Sequence, residues 1–511
     1  MTLGTLDSII LFSYFLLLFG MGIYFSTRNG STEEYFLGGR RFKGWIIGLS
    51  LVGTSISSIT FLAYPGDAFK TAWLRFLPNL MLPIAIIIAA YFFLPRLRSG
   101  NSTTAYEFLE ERFGPSIRVY GAAAFIFTQI VRVSLILYLI SLVLQQISGL
   151  PAYQCILAAG IVVAMYTILG GIDAVIWTDV LQTVILLFGG VICLMVIANT
   201  LPGGLPQIID VGTAHGKLAF SELKDGQLSA VSWNVSLTEK TATMMLLIGL
   251  ISWLTEYSSN QNTVQRFNAT RSAGEARKAM YICAAVSLPT WAFFMFLGTA
   301  LYVFFEAFPT IASTEILSGT RKAEEILPYF VIHHLPDGLV GLVLAAALAA
   351  AMSSLDSSIN SISTVAISDI YRRHLKKGAA DSHYLVIARL IGMVVGLLMI
   401  IGAIVLTVTE TKTLQDTATV LTSLLAGGLL SIYVIGFFST RGDARHVIVG
   451  IIATMAFTLW TIMSSQGVLP ETLSYPFDLY YTGLIGNIVM FLIAYGASLS
   501  FPLNSSPQPA P

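Results

Sequence analysis

The sequence predicts an all-α polytopic membrane protein. Of the 511 residues, 55% are hydrophobic and only 11% are charged, whereas roughly 25% of an ordinary soluble domain is charged. So few charges could not cover the surface of a soluble protein of this length, which excludes a soluble enzyme, a disordered chain and a fibrous repeat. The formal net charge is zero, so there is no overall field to attract nucleic acid.

Thirteen apolar segments are long enough to cross a bilayer, which takes about 20 helical residues. The first is expected to be a true span and not a cleaved signal peptide, because it lacks a basic start and contains Asp7. The predicted spans are 7–26, 44–66, 73–95, 118–147, 153–170, 173–199, 242–262, 276–306, 338–370, 384–408, 415–437, 445–465 and 478–500.

The basic residues predict the orientation of these spans. With the N-terminus outside, most of the 28 lysines and arginines fall in inner loops, among them Arg118, Arg266 and Arg373. Cytoplasmic loops carry such an excess, so we expect the N-terminus outside and the C-terminus inside. Eight others fall on the outer side, and Arg132 is assigned to neither side because it falls in the middle of the fourth segment.

The second segment is unusually polar for a membrane span. Gly53-Thr54-Ser55-Ile56-Ser57-Ser58-Ile59-Thr60 is followed by Pro65-Gly66, which predicts a helix interrupted near mid-membrane. Backbone freed there must line a cavity or contact a ligand, and broken helices hold Na⁺ in secondary transporters. Packing between helices is the alternative role for these small residues.

The ninth segment carries a second hydroxyl cluster, within residues 349–361. Ser353, Ser357 and Asn360 share one helix face, and Ser354, Ser358 and Ser361 share the adjoining face. Hard cations prefer oxygen ligands. Two such clusters in distant segments favour an ion site over a packing role.

Among the charged residues inside the predicted segments, we single out Arg132, Asp179, Glu256 and Asp356 as candidate functional residues. Such residues are costly and mark pathways or partners. Arg132 cannot lose its proton, so it needs an anion beside it. That anion is either a carboxylate of the substrate, gripped bidentately, or Glu256 or Asp356 in an ion pair that only locks helices together.

Several motifs resemble the sodium:solute symporter family, and most closely its bacterial sodium-coupled sialic acid symporters. They lie at 53–61, 103–113, 166–182, 264–266 and 345–371, and the similarity covers nearly the whole chain. The resemblance implies a LeuT-type fold of two inverted five-helix repeats, in which the seventh segment, with residues 256–262, is the broken counterpart of the second. The implied division is an extra N-terminal helix and inner loop (1–43), a first repeat (44–199), an extracytoplasmic loop (200–241), a second repeat (242–440), two C-terminal helices (441–500) and a disordered tail (501–511).

The resemblance also implies site residues. The main Na⁺ site would use the backbone carbonyls of Gly53, Ile56 and Ala350 and the side chains of Ser353 and Ser354. A possible second Na⁺ site would use Asp179, Asp356 and Ser357. The substrate carboxylate would bind Ser57, Thr60 and Arg132, and Asn79 would contact the hydroxylated part. Further candidate substrate-binding residues are Ser58, Gln129 and Glu256.

The predicted function is therefore sodium-coupled import of a small organic solute, an anionic sugar such as sialic acid, by alternating access. Sodium is the expected cofactor, and the expected setting is a monomer in the inner (plasma) membrane of the cell, with no enzymatic activity and no nucleic-acid partner. A carrier of a neutral sugar, a polyol or a monocarboxylate is the alternative. A channel or an integral membrane enzyme is disfavoured, because thirteen segments with no catalytic cluster fit neither class.

Overall fold

The computed structural model describes residues 4–27, 30–98, 102–224, 226–408 and 428–500, which are mostly helical. The strands β1 (Ser221–Lys224) and β2 (Gln227–Ala230) form an antiparallel hairpin. The helices are α1 (Thr5–Ser26), α2 (Thr32–Leu37), α3 (Gly44–Ser55), α4 (Ile59–Lys70), α5 (Leu74–Leu97), α6 (Glu107–Phe113), α7 (Pro115–Ser148), α8 (Ala152–Thr200), α9 (Gly204–Ala214), α10 (Ala242–Ser259), α11 (Gln261–Ala269), α12 (Ala273–Ala307), α13 (Ile311–Ser318), α14 (Ile326–His334), α15 (Leu339–Leu375), α16 (Asp381–Val408), α17 (Leu429–Phe438), α18 (Ala444–Ser465) and α19 (Thr482–Ser500).

The membrane-crossing elements are helices, as predicted, but their number differs from the number of predicted segments. Among the described residues, nine helices are long and apolar enough to cross a membrane, and the bent pair α3–α4 makes a tenth span. Segments 153–170 and 173–199 are joined in α8, which is kinked at Gly171, where φ is 61°. Most of segment 415–437 and the tail 501–511 lie outside the described residues. The count of thirteen and the division into repeats stay predictions.

Two helices are broken. The chain between α3 and α4 is extended at Ile56, with φ −99° and ψ 98°, and the two helices bend by 59°. The break between α10 and α11 lies at Asn260. The predicted interruptions are thus confirmed, but Pro65 and Gly66 lie inside α4. Gly66 is needed there for packing, because a Cβ atom would come within 2.5 Å of the Ala323 carbonyl oxygen.

Helix α15 is the centre of the bundle. In the most apolar 18-residue stretch of α15, 89% of the residues are buried, compared with 22% in the corresponding stretch of α1. The Asp7 carboxylate of α1 accepts hydrogen bonds from the backbone N–H groups of Gly338 and Gly341, at 2.8 and 2.6 Å. A carboxylate is favourable at a helix N-terminus, so the acidic residue in the first segment anchors α1 to α15.

Candidate functional site

The break in α3–α4 presents backbone carbonyls to α15. The Ser353 hydroxyl donates to the Gly53 carbonyl at 2.8 Å, and the Ser354 hydroxyl donates to the Thr54 carbonyl at 3.4 Å. Gly53 must be a glycine for close packing, because a Cβ atom would come within 2.8 Å of Thr183 Oγ1 on α8. Carbonyl and hydroxyl oxygens therefore meet at the position predicted for the main Na⁺ site.

Ile56 and Ala350, which complete the predicted site, are close in sequence to the residues that provide these oxygens. Ile56 is the extended residue at the end of α3. Ala350 is buried in α15, one turn before Ser354. The Thr54 carbonyl, which the sequence did not single out, joins the same group through its contact with Ser354.

The two predicted hydroxyl faces of α15 contact different neighbours. On the first face, Ser357 accepts a hydrogen bond from Arg266 at 2.6 Å. On the second face, Ser358 donates to Gln129 on α7 at 3.0 Å, and Ser361 donates to Asn262. Each face therefore ties α15 to the polar residues around a different part of the site.

Asp179 is paired with Arg266, deep in the bundle. Arg266 Nη2 lies 2.7 Å from Asp179 Oδ2, and the two side chains are 1% and 0% exposed. Ser50 also donates to Oδ2, at 2.6 Å. Asp179 Oδ1, by contrast, is buried without a hydrogen-bond partner, so one oxygen of this predicted ion ligand is unused.

Arg266 was expected in an inner loop, and that expectation is wrong. It lies in α11, all nine residues of which are buried although the sequence is polar. The physical reason is that α11 forms the second half of a broken helix, in which hydrogen bonds satisfy the polar side chains while Val264 and Phe267 pack into the apolar core. The signal available in the sequence was the motif at 264–266 and the capping residue Asn260, whose side chain accepts from Asn262 N.

Asp356 is surrounded by hydroxyl groups. Its Oδ2 atom accepts from the Tyr166 hydroxyl at 2.8 Å and from Thr178 Oγ1 at 3.4 Å. Ser357 donates to Oδ1 at 3.4 Å. Asp356 is 0% exposed, and none of the ion pairs among the described residues includes it. The carboxylate that the sequence proposed for a second ion site is therefore buried without a protein cation.

A cavity of about 600 Å³ lies between α4, α5, α7, α10 and α19. Arg132 and Gln129 of α7 and Glu256 of α10 line it, so three predicted substrate-binding residues share one space. The hairpin residues Ser221 and Glu222 also line it. The cavity therefore extends to the face of the bundle that carries the β-hairpin.

The Arg132 side chain lines the cavity without a protein partner among the described residues. Among the described residues it has neither a hydrogen bond nor an ion pair, so the expected alternative of a helix-locking pair with Glu256 or Asp356 is wrong. Glu256 instead accepts from Asn260 Nδ2 and from Thr263 Oγ1, both at 2.7 Å. One turn before Arg132, Gln129 accepts from Asn262 at 3.1 Å.

The other predicted substrate residues lie behind the cavity wall. Ser57 accepts from the backbone N–H of Ile59 at 3.2 Å, and Thr60 accepts from Trp291 Nε1 at 3.2 Å. Asn79 donates to the hydroxyl of Tyr64, which lines the cavity, at 2.8 Å. Ser58 is buried, and its hydroxyl has no partner. None of these four is among the cavity-lining residues of the described chain.

A network of charged residues links three helices away from the cavity lining. Arg118 of α7 lies 2.5 Å from Asp369 of α15 and 2.8 Å from Glu110 of α6. Arg373 pairs with the same glutamate. This network links α6, α7 and α15 through ion pairs, and none of its residues lines the cavity.

The comparison with protein families agrees with this arrangement. The model of the "Sodium:solute symporter family" matches residues 35–454. The chain belongs to the sodium:solute symporter family. A multi-pass membrane chain with two broken helices beside a central cavity is the arrangement expected of a secondary transporter.

Relatives and solved structures are similar over nearly the full chain. The sodium/sialic acid symporter NanT of Aliivibrio fischeri is 30% identical over 98% of this chain and 94% of its own. SiaT of Proteus mirabilis is 31% identical over 95% and 93%. A substrate-bound, outward-open sodium-coupled sialic acid symporter matches with a TM-score of 0.86 at 28% identity, covering 98% of both chains.

A more distant neighbour bears on the fold alone. Mhp1, a transporter of the nucleobase-cation-symport-1 family, matches with a TM-score of 0.55 at 15% identity, covering 93% of this chain and 97% of its own. Both structural neighbours are transporters of the LeuT fold. The predicted fold class is confirmed at that level.

Proposed function

We propose that this protein is a sodium-coupled symporter that imports a small carboxylated solute, an acidic sugar such as sialic acid. The observation that carries the proposal is the Arg132 guanidinium, which lines the cavity with no partner among the described residues. A guanidinium keeps its charge at any working pH and binds carboxylates in bidentate fashion. The sialic acid symporters NanT and SiaT, similar over nearly the whole chain, support the choice of an acidic sugar.

We assign the main Na⁺ site to the carbonyl oxygens of Gly53, Ile56 and Ala350 and the hydroxyls of Ser353 and Ser354. The 2.8 Å contact between Ser353 Oγ and the Gly53 oxygen supports the assignment, because two oxygens this close fit around one small cation. All five ligands are neutral oxygen atoms, which suit a hard cation. Na⁺ would therefore bind weakly and leave readily, as a carrier requires.

A second Na⁺ would bind near Asp179, Asp356 and Ser357. The unpartnered Oδ1 atom of Asp179 and the hydroxyl shell around Asp356 support this assignment. A buried carboxylate without a protein cation is costly. A Na⁺ ion would supply the missing positive charge.

Residues Ser57, Ser58, Thr60 and Asn79 would reach the solute only after the cavity wall closes. Their place directly behind the wall residues Ile59 and Tyr64 supports this step. Of these residues Thr60 lies on α4, so a rotation of α4 would bring its hydroxyl to the cavity. Solute binding would then favour a different conformation from the open one.

Transport would proceed by alternating access. We place the N-terminus and the hairpin face outside and the C-terminus inside, in the inner (plasma) membrane, because the basic loops lie opposite the hairpin. The two inverted five-helix repeats would begin with the broken helices, within a bundle of thirteen spans. Inward opening requires the ion network of Arg118, Glu110 and Asp369 to separate.

The sodium gradient would drive accumulation. Each Na⁺ that enters across 100 mV contributes about 2.3 kcal/mol, which is roughly fiftyfold accumulation of solute. Linkage requires Na⁺ and solute to raise one another's affinity equally. One chain forms the whole cavity, which supports a functional monomer, and the carrier would catalyse no reaction.

The test is uptake by the purified full-length protein in liposomes. With an inward Na⁺ gradient, labelled N-acetylneuraminic acid should accumulate, and replacing Na⁺ with K⁺ should abolish uptake. Unlabelled glucose and lactate serve as competitors. Stronger competition by glucose would replace the proposal with a neutral sugar carrier, and stronger competition by lactate with a monocarboxylate carrier. Uptake that equilibrates without a gradient would indicate a channel.

A further inference from the structure

The cavity is lined by equal numbers of positive and negative side chains. Two of the negative ones have a protein cation beside them. Asp67 forms an ion pair with Arg75, and Glu222 lies 3.7 Å from Lys240. The full set of charged lining residues is Asp67, Arg75, Arg132, Glu222, Lys240 and Glu256. Arg132 and Glu256 are therefore the two charges of the described lining that no opposite charge neutralises.

Glu256 is held in place by neutral donors. Asn260 donates to one carboxylate oxygen and Thr263 to the other, both at 2.7 Å. These two donors lie at the break between α10 and α11, so the backbone geometry of the break fixes the carboxylate. A carboxylate accepts about four hydrogen bonds in all. Each oxygen of Glu256 can therefore accept at least one more bond from the cavity.

Arg132 and Glu256 lie on different helices of the cavity lining. Arg132 lies on α7, one turn after Gln129, which is held by Asn262 and Ser358. Glu256 lies on α10, one turn before the break at Asn260. They are more than 4 Å apart, because they do not count among the ion pairs of the described chain. A solute in the cavity thus has a cation at one wall and an anion at another.

An anion alone would neutralise Arg132 and leave Glu256 as an uncompensated negative charge beside it. A solute with an added cation would neutralise both walls. We propose that Glu256 selects for a solute that carries a protonated amine as well as a carboxylate, with the amine on Glu256 and the carboxylate on Arg132. This inference rests on the proposed function and adds to it a preference for zwitterions among carboxylated solutes, of which an acidic amino sugar fits the 600 Å³ cavity.

The test compares solutes that differ only in acetylation of the nitrogen. One pair is the methyl glycosides of neuraminic acid and N-acetylneuraminic acid, and the other is L-alanine and N-acetyl-L-alanine. Dissociation constants would be measured in Na⁺ by calorimetry on the purified full-length protein. The free amine of at least one pair should bind about tenfold more tightly than its acetylated partner. Which pair binds distinguishes an amino sugar from an amino acid.

Glu256→Gln should abolish the preference by weakening the amine about tenfold while changing the acetylated solute little. Glu222→Gln is the matched control, because that lining carboxylate already has Lys240 beside it; it should preserve the preference. Equal binding of amine and acetylated solute by the unmodified protein would overturn the inference, as would equal effects of Glu256→Gln on both. Neither result affects the proposed function, which depends on Na⁺-driven uptake of the acetylated acid.

Discussion

Arg266 and Asp179 form an ion pair of 2.7 Å in which neither side chain is more than 1% exposed. The arginine also donates to Ser50 and Ser357 at 2.8 and 2.6 Å. One guanidinium thus joins α3, α8, α11 and α15 next to the predicted ion sites. A buried pair costs little when complete and much when halved.

Arg266→Gln should therefore destabilise the protein severely, by about 3–5 kcal/mol, because Asp179 would remain as a lone buried charge. The double variant Arg266→Gln with Asp179→Asn should recover part of the loss. The measurement is thermal unfolding in detergent. Equal stability of the single variant and the unmodified protein would contradict a paired role.

Ser354→Ala should weaken the activation of uptake by Na⁺ while leaving insertion and folding intact. The hydroxyl is a proposed Na⁺ ligand whose contact is the Thr54 carbonyl. The measurement is the Na⁺ concentration at half-maximal uptake. Ser363→Ala is a suitable control, because that buried hydroxyl bonds only its own helix, at Ile359. An unchanged Na⁺ dependence in Ser354→Ala would refute the site.

Arg132→Lys should reduce transport of a carboxylated solute at least tenfold, because a point charge loses the bidentate grip. Folding should be unaffected, since Arg132 has no bond to the described protein. Uptake and thermal stability would be measured together. If Arg132→Lys transported normally, the solute would be neutral and the arginine would have another role.

Tyr166→Phe should alter the environment of Asp356 without opening a large cavity. It removes the hydroxyl that donates to the carboxylate at 2.8 Å, leaving one weaker hydroxyl on that oxygen. If Asp356 binds Na⁺, the Hill coefficient for Na⁺ in uptake should fall. Tyr35→Phe, which removes a bond to the Ile168 carbonyl, is the control. An identical Hill coefficient in both variants would leave Asp356 without an ion role.

Lys217, in the loop after α9, predicts a dependence of stability on pH. Burial lowers its pKa from the usual value to about 8, although Glu306 opposes the shift. Between about 8 and 10.5 the unfolded chain therefore binds more protons than the folded chain, so the contribution of Lys217 to stability rises with pH. The difference in unfolding temperature between the protein and Lys217→Met should change across this window. A constant difference would contradict the lowered pKa of Lys217.

Much of the fold could be predicted from local patterns. The membrane spans follow from the length of the apolar segments. The break in α3–α4 follows from the cluster of hydroxyl side chains and the Pro65-Gly66 pair in one segment, because backbone groups freed within a membrane must line a cavity or contact a ligand. The two hydroxyl faces of α15 follow from the helical period alone. The prediction failed for α11. Hydropathy assigns this polar nine-residue stretch to a loop, whereas all of it is buried in the structure.

The sequence by itself determined that this chain spans a membrane and that its second apolar segment is interrupted. Only the tertiary structure decided which charges meet. Asp179 pairs with Arg266 across 87 positions of sequence, and Asp356 bonds Tyr166 across 190. Spacing cannot predict such partners, because they depend on how separate helices pack. The same packing leaves Arg132 facing the cavity without a partner in the described chain, which is why it points to the solute.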